Sequence, residues 1–196
     1  MKIILIRHGL SIANEKNIIQ GQTNFKLSKE GKEQVKKTAL RFKKTKIDVI
    51  YSSDLGRAKE TTKIIKKFHK SVHVCFSKLL RERNFGYLEG KEADKIPVSK
   101  FRNRRPKGGE LNSDVKKRAK EFLRYLQKKY SDEKIMVVTH GGFIRMIYSI
   151  LNKKTIKQSY IDMPSGFIKN TCIFEIESTT KKNLKIVRQN CIRHLG

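Results

Sequence analysis

Residues 134–151, KIMVVTHGGFIRMIYSIL, decide the fold class. The first six residues are a largely apolar, β-branched run, which is typical of a strand buried on both faces of a sheet. The spacing of Ile144, Ile147 and Leu151 then predicts a helix. A buried strand that runs directly into a helix is the repeating unit of α/β proteins, whose sheets are mostly parallel.

The same alternation of short apolar runs and longer helical patterns continues along the chain. Strands are predicted over residues 2–7, 47–51, 72–76, 134–139, 172–177 and 184–188, and helices over 28–43, 55–68, 113–130 and 141–151. The stretch 84–109, which is rich in Gly and Pro, hardly shows a sustained period. We therefore predict a single domain over residues 1–196: a three-layer α/β/α sandwich with a mostly parallel central sheet and an antiparallel edge.

The chain has a high positive charge, because 46 Lys and Arg residues against 18 Asp and Glu residues give a formal charge of +28. A surface this basic attracts anions. Nucleic-acid-binding proteins more often concentrate Arg and aromatic residues in one segment, whereas this excess is spread in pairs such as Lys36-Lys37 and Lys66-Lys67. A solvated surface is the simplest interpretation, and non-specific nucleic-acid binding or steering of a small anionic substrate stays open.

The sequence carries no signal for a membrane or an oxidising compartment. The apolar run IILI (3–6) is shorter than the ~7–15 residues of a secretory signal, and no run approaches the ~18 residues that cross a bilayer. Cys75, Cys172 and Cys191 have neither disulfide-like nor metal-site spacing. We expect a cytoplasmic protein with no membrane partner, no metal and no cofactor, and the sequence predicts no oligomeric state.

Polar and charged residues follow three of the predicted strands. Arg7 and His8 end the first strand, Arg57 follows the second after Ser-Ser-Asp, and His140 follows the strand at 134–139. Ligands of open α/β sheets bind beyond the carboxyl ends of the strands. Two histidines and two arginines are therefore expected to meet at one edge of the sheet, where they suit a phosphate group.

Several ordered motifs make the chain similar to the histidine phosphatase superfamily, the phosphoglycerate mutase-like enzymes. The motifs are Arg7-His8-Gly9 with Asn14, QGQTNFKLSKEGKEQ (20–34), SSDLGRAKETTKII (52–65), LRERNFGYLEG (80–90), PKGGE (106–110) and VVTHGG (137–142). The resemblance runs from Lys2 to about Ile176 and implies the phosphoglycerate mutase-like fold. Leu10 stands where the family often has Glu or Gln, and Leu111 where it commonly has Ser, so substrate preference is the property these departures put in doubt.

The resemblance implies catalytic roles for five residues. His8 is implied to attack phosphorus and to form a phosphohistidine, since neutral imidazole is a competent nucleophile near pH 7. Arg7 and Arg57 would hold the phosphoryl oxygens with forked donors, and a protonated His140 would add a third positive donor. Glu82 would protonate the leaving group and then activate water.

The predicted substrate-binding residues are Asn14, Ser11, Gln20, Gly21 and Gly141. Ser11 can contact phosphate through its hydroxyl or cap the helical turn that follows it, and the sequence favours neither. His8 and His140 could each have a purely structural role at a strand end. Arg57 could instead pair with Asp54 at the surface, and Glu82 could belong to an ion pair, with Glu89 and Glu92 close by as competing acids.

The segment between LEG and PKGGE distinguishes a phosphatase from a mutase. Mutases that resemble this family usually carry a longer, basic insertion there, whereas this chain has only residues 91–105. A short lid favours water as the acceptor, so we predict a metal-independent phosphatase acting on small phosphomonoesters. The alternatives are mutase-type phosphoryl transfer and a basic polyanion-binding protein with an unused pocket. The segment's cluster of Lys100, Arg102, Arg104 and Arg105 is either a solvated loop or a site for a second anionic group of the substrate.

Overall fold

Six strands and six α-helices make up the described part of the chain, which in this computed structural model comprises residues 1–97, 104–164, 167–180 and 183–196. The strands are β1 (Lys2–Arg7), β2 (Val49–Ser53), β3 (His73–Ser77), β4 (Lys134–Thr139), β5 (Ile173–Thr180) and β6 (Asn183–Cys191). The helices are α1 (Ile12–Glu15), α2 (Lys29–Phe42), α3 (Gly56–Lys66), α4 (Asn112–Lys129), α5 (Gly141–Leu151) and α6 (Ile156–Asp162). Short 3₁₀ turns lie at Lys78–Leu80, Gly86–Leu88 and Arg193–Leu195.

The strands form one sheet in the order β3-β2-β4-β1-β5-β6. The pairs from β3 to β1 are parallel, and β5 and β6 add an antiparallel edge. This arrangement confirms the predicted fold class. The β4 register aligns Thr139 with Arg7, so the carboxyl ends of the two central strands lie side by side.

The alternation of side chains along the strands divides the core between the two faces of the sheet. Ile3 and Leu5 of β1 point into a core shared with α4 and α5, whereas Ile4 and Ile6 point into a core shared with α2 and α3. Both faces of the central strands are thus buried, as the continuous apolar runs predicted. None of the helices in the described ranges is both long and apolar enough to span a bilayer.

Two short helices lie outside the predicted helical ranges: α1, which is the turn that Ser11 was an open candidate to cap, and α6. They have four and seven residues, which is too short for a helical period to stand out. Both depend on their caps: Ser11 begins α1, and Thr155 begins α6 with a capping box to Gln158. Their places matter because α1 and α6 bring residues to the same cavity as the strand ends.

The loop after β1 lies directly against the first turn of α2. A Cβ atom on Gly31 would overlap the carbonyl oxygen of Leu10, and one on Gly9 would approach Val35 Cγ2 to 2.6 Å. Only glycine permits this close approach. The backbone that carries His8 is therefore packed between the sheet and α2.

Candidate active site

A cavity of about 330 Å³ opens beyond the carboxyl ends of the central strands. Eight of the ten predicted site residues line it: Arg7, His8, Asn14, Gln20, Gly21, Arg57, Glu82 and Gly141. The strand ends thus bring together residues that are up to 134 positions apart in sequence (Arg7 to Gly141). Ser11 and His140 are fully buried and lie behind these walls.

His8 follows β1 and is held as one tautomer. Its Nδ1 lies 2.8 Å from the carbonyl oxygen of Gly9, and because a carbonyl can only accept, Nδ1 carries the hydrogen. The lone pair is then on Nε2, which accepts a hydrogen bond of 3.2 Å from Arg57 Nε. Burial, followed by the charges of Arg57 and Arg7, lowers the pKa of His8 well below its ordinary value. The imidazole is therefore neutral at pH 7, with an unprotonated Nε2 beside a guanidinium.

Arg57 lies in the first turn of α3 with only 1% of its surface exposed. Its Nη1 and Nη2 donate to the carbonyl oxygens of Thr23 and Gly21, at 3.0 and 2.8 Å. Burial lowers its pKa to about 10, so it stays protonated at neutral pH. The alternative in which Arg57 pairs with Asp54 is wrong, because Arg81 holds that carboxylate, with Nε 2.7 Å from Oδ1.

Arg7 ends β1 and lines the cavity with a half-buried side chain whose Nε is fully buried. Its Nη1 donates to the carbonyl oxygen of Ile168, whereas its Nε has no partner among the described residues. Burial lowers the pKa of Arg7. A buried guanidinium nitrogen without an acceptor is costly, and an anion in the cavity would satisfy it.

His140 caps α5 behind His8, and the two ring centroids are 5.1 Å apart. Its Nε2 lies 2.8 Å from Ser53 Oγ, and its Nδ1 is buried without a partner in the described part of the chain. Burial, then the charge of Arg57, lowers its pKa well below the ordinary value. In the free protein His140 is thus neutral rather than protonated, and the positive donor expected from the sequence requires the charge of a bound phosphoryl group.

Glu82 is fixed by two backbone amides. Its Oε1 accepts from Arg83 N at 2.8 Å, and its Oε2 accepts from Gly142 N, in the first turn of α5, at 2.9 Å. A Cβ atom on residue 142 would overlap the carboxylate. With any larger residue than the second glycine of the His-Gly-Gly motif, the Glu82 carboxylate would have to leave its present position.

The two competing acids have other roles. Glu92 is exposed and pairs with Lys95 at 3.0 Å. Glu89 accepts hydrogen bonds from the backbone amides of Gln22, Thr23 and Phe85 and from the Thr23 hydroxyl. Glu89 thereby joins the loop after residue 20 to the segment after Glu82. Among the three candidate acids, Glu82 is the one that lines the cavity.

Ser11 has the geometry of a helix cap. Its Oγ accepts from the backbone amide of Asn14 at 3.2 Å and lies 2.7 Å from Gln20 Oε1. With no exposed surface, the hydroxyl does not face the cavity, so its contacts orient Asn14 and Gln20, which do.

Sequence reasoning missed one whole wall of the cavity, formed by Arg83, Phe85, Asn112, Arg145 and Tyr160. Arg83 stacks 5.0 Å from the Phe85 ring, and Arg145 stacks 4.2 Å from the Tyr160 ring. Asn112 Oδ1 joins the two stacks, because it accepts from Arg83 Nη1 and from the Tyr160 hydroxyl, each at 3.3 Å. The sequence feature that could have indicated this wall is Arg145, a charged residue within the apolar face of α5.

The basic cluster of residues 100–105 is only partly described. Lys100 and Arg102 lie outside the described residues. Arg104 and Arg105 are exposed, and Arg105 pairs with Asp114 at 2.8 Å. The carbonyl oxygen of Arg104 accepts from Arg83 Nη2 at 2.7 Å, which ties the end of this segment to the cavity wall.

Comparisons with known proteins agree with this geometry. Residues 3–191 match the model of the histidine phosphatase superfamily (branch 1). A metal-independent phosphoserine phosphatase of Arabidopsis thaliana is 38% identical over 159 residues, which are 75% of this chain and 67% of the plant protein. A broad-specificity phosphatase of Saccharomyces cerevisiae is 30% identical, with 100% of this chain and 88% of the yeast protein covered.

The solved structure of an Entamoeba histolytica phosphoserine phosphatase in complex with 3-phosphoglyceric acid has a TM-score of 0.86 at 26% identity, covering 99% of this chain and 98% of that one. Together with the family match, these similarities place the chain: it belongs to the histidine phosphatase superfamily. Within that superfamily it is a phosphomonoester hydrolase, which confirms the enzyme class predicted from the sequence.

Proposed function

We propose that the protein is a metal-independent phosphatase that hydrolyses small phosphomonoesters through a phosphohistidine on Nε2 of His8. The observation that carries the proposal is the fixed tautomer of this residue. Gly9 O holds the hydrogen on Nδ1, so the lone pair of Nε2 is in contact with the Arg57 guanidinium at 3.2 Å. A neutral imidazole in a cationic cavity can attack a phosphorus atom whose oxygens carry negative charge.

In the first step Nε2 of His8 forms a bond to phosphorus while the ester P–O bond breaks. Arg7 and Arg57 hold the equatorial oxygens, and the Arg57 Nε–H that contacts Nε2 turns to a phosphoryl oxygen. The carboxyl of Glu82 gives its proton to the departing alkoxide. The products are an alcohol, a phosphohistidine and the Glu82 carboxylate.

In the second step water attacks the phosphohistidine. The Glu82 carboxylate takes a proton from that water as its oxygen bonds to phosphorus, and the N–P bond breaks. Inorganic phosphate leaves, His8 is again neutral, and Glu82 is again protonated. The two backbone amides that hold Glu82 serve both steps, because the same carboxyl group is acid and then base.

The wall of Arg83 and Arg145 supports a preference for substrates whose alcohol part carries a second anionic group. Arg7 and Arg57 are assigned to the phosphoryl group, and Arg83 and Arg145 add further positive charge to the same cavity. O-phosphoserine and O-phosphoethanolamine differ only by a carboxylate, so they test this preference directly. We expect kcat/KM for phosphoserine to be higher by about 10-fold or more, the effect of one buried charge-assisted hydrogen bond or ion pair. Equal values would contradict the preference and leave the phosphatase chemistry untouched.

The experiment that tests the activity is hydrolysis of p-nitrophenyl phosphate in EDTA by the wild type, His8→Ala and His73→Ala. His73 is an exposed histidine on β3 and serves as the matched control. We expect metal-independent turnover that His8→Ala abolishes and His73→Ala retains. No turnover by the wild type, or residual wild-type rates in His8→Ala, would contradict the proposal. With a phosphoglycerate as substrate, release of phosphate rather than an isomer distinguishes the phosphatase from a mutase.

A further inference from the structure

Asn170 lies just before β5 and joins two parts of the active site without lining the cavity itself. Its Nδ2 donates to the carbonyl oxygen of His8 at 3.1 Å and to Asn14 Oδ1 at 3.2 Å. The next residue, Thr171, donates its backbone amide to the carbonyl oxygens of Arg7 and His8. The turn at 170–171 therefore holds the main chain of the nucleophile as well as the amide of Asn14.

Backbone groups fix which way both side-chain amides point. The carbonyl of His8 can only accept, so the Asn170 atom that faces it is the nitrogen. The amide nitrogen of Ser11 can only donate, so the Asn14 atom 3.3 Å from it is the oxygen. Asn14 Oδ1 is thus held from two sides, by Ser11 N and by Asn170 Nδ2.

The nitrogen of the Asn14 amide is left for a ligand. Asn14 lines the cavity, and no residue in the described part of the chain accepts a hydrogen bond from its Nδ2. An amide that could flip would present either a donor or an acceptor to an anion. Held through its oxygen, the Asn14 side chain presents only donors.

We infer that Asn170 is a positioning residue for phosphoryl transfer: it holds the Asn14 amide so that Nδ2 donates to a phosphoryl oxygen, and it holds the peptide group of His8. The inference rests on the proposed function of the cavity. Two substitutions have different expected effects. Asn170→Ala removes the hydrogen bond that Asn170 gives to Asn14 Oδ1 and leaves only the contacts from Ser11, so kcat/KM is expected to fall about 10-fold.

Asn170→Asp is expected to be more damaging than Asn170→Ala, although it is nearly isosteric. A carboxylate cannot donate to Asn14 Oδ1, and it attracts Asn14 Nδ2 instead. The Asn14 amide then turns, and its oxygen faces the negatively charged phosphoryl group. We expect a loss of about 100-fold in kcat/KM, mainly in kcat, with weaker competitive inhibition by inorganic phosphate.

Asn190, on β6, offers a matched control that contacts the segment just before this turn. Its Nδ2 donates to the carbonyl oxygen of Phe167 at 2.7 Å, and its Oδ1 accepts from Lys169 N at 3.1 Å, but it contacts neither His8 nor Asn14. Its φ of 46° suits glycine. Asn190→Gly keeps this backbone conformation but loses both hydrogen bonds, so it is expected to lower the thermal midpoint while kcat/KM stays within about 2-fold of the wild type.

A double-mutant cycle separates positioning from a merely structural role. In an Asn14→Ala background there is no amide to misdirect, so Asn170→Asp should cost only about 3-fold through its remaining contact to His8. An equal loss in both backgrounds, or wild-type activity in the Asn170 variants, would overturn the inference. If Asn170→Asp does not fold, Asn170→Ala and Asn170→Ser complete the cycle.

Calorimetric titration with inorganic phosphate measures binding without turnover, so it tests the positioning role independently of the proposed phosphatase activity. The positioning role is supported if Asn170→Asp weakens phosphate binding in the wild-type background but not in the Asn14→Ala background. This holds even if the wild type turns over no ester. In that case the proposed phosphatase activity fails and the positioning role stands. Unchanged phosphate binding in an active enzyme counts against the positioning role alone.

Discussion

The backbone amide of Gly142 donates a hydrogen bond of 2.9 Å to Oε2 of Glu82. The first turn of α5 thus positions the proposed acid, and it does so next to His140, the N-cap residue of the same helix. The end of β1 supplies Arg7 and the proposed nucleophile, the first turn of α3 supplies Arg57, and the N-terminus of α5 holds the group that is expected to move protons. An amide at this position stabilises a carboxylate and aims it.

Gly142→Ala tests this relationship. The added methyl group would overlap the Glu82 carboxylate, which must then leave the position in which the two backbone amides hold it. We expect kcat for an alkyl phosphate to fall by roughly 10²-fold, the usual scale of a lost general acid. Gly56→Ala, at the first residue of α3, is the control, because its nearest neighbouring atom would be 3.5 Å away. Equal activity of the two variants would show that Gly142 does not position Glu82.

Arg57→Lys should lose the forked geometry while keeping the charge. A lysine cannot contact His8 Nε2 and the carbonyl oxygens of Gly21 and Thr23 at the same time. Loss of one oriented donor to the phosphoryl group costs about 2.7–4 kcal/mol, so steady-state kinetics should give a kcat/KM roughly 10²–10³-fold lower. Arg124→Lys, at an exposed arginine of α4, should retain wild-type kinetics. A loss below 5-fold for Arg57→Lys would argue against its role at the phosphoryl group.

Substitution of Glu82 should mainly lower turnover, whereas substitution of Glu89 should mainly lower the free energy of unfolding. Glu82→Gln keeps the size of the side chain and one of its two hydrogen bonds from backbone amides, so it should remove most of the turnover at a smaller cost in stability than Glu89→Ala. Glu89→Ala leaves the amides of Gln22, Thr23 and Phe85 without their acceptor, and it should cost about 1–3 kcal/mol of unfolding free energy. Urea denaturation and steady-state kinetics on both variants measure the two effects. The opposite pattern would mean that the roles of the two acids are exchanged.

Stability should fall on the acid side of pH 6.5 because of the buried histidines. The folded-state pKa values of His8 and His140 are depressed, so below the ordinary value of ~6.5 the unfolded chain takes up protons that the folded protein does not. Each such histidine lowers the unfolding free energy by up to about 1.4 kcal/mol between pH 7.5 and pH 5.5. Urea denaturation at both pH values should therefore give a smaller drop for His140→Asn than for the wild type. The same drop in both proteins would contradict a neutral, buried His140.

Much of this site could be predicted from the sequence, because the ligand cavities of parallel sheets lie at the carboxyl ends of the strands. His8 and His140 each follow a buried strand, and the register of those strands places them together. Residues brought in by tertiary packing gave weaker signals. Asn112 begins α4 and Tyr160 lies on a two-turn helix that has no visible period, so nothing local connects them to the strand ends.

Burial decided the questions that residue type left open. The Ser11 hydroxyl suits a cap and a phosphate contact equally, and its full burial at the start of α1 favours the cap. The acids Glu82 and Glu89 are chemically equivalent in sequence, and their hydrogen-bond partners distinguish them. For His140 the neighbouring arginines and burial set the protonation state, which no local pattern could have given.

Trapping of the covalent intermediate tests the central claim most directly. Glu82→Gln lacks the base for the second step but can still be phosphorylated by p-nitrophenyl phosphate, whose leaving group needs little acid catalysis. After an alkaline quench, which preserves phosphohistidine, peptide mass spectrometry should find one phosphoryl group on His8 in Glu82→Gln and none in the His8→Ala/Glu82→Gln double variant. A phosphoryl group on another residue, or the same labelling without His8, would contradict the account.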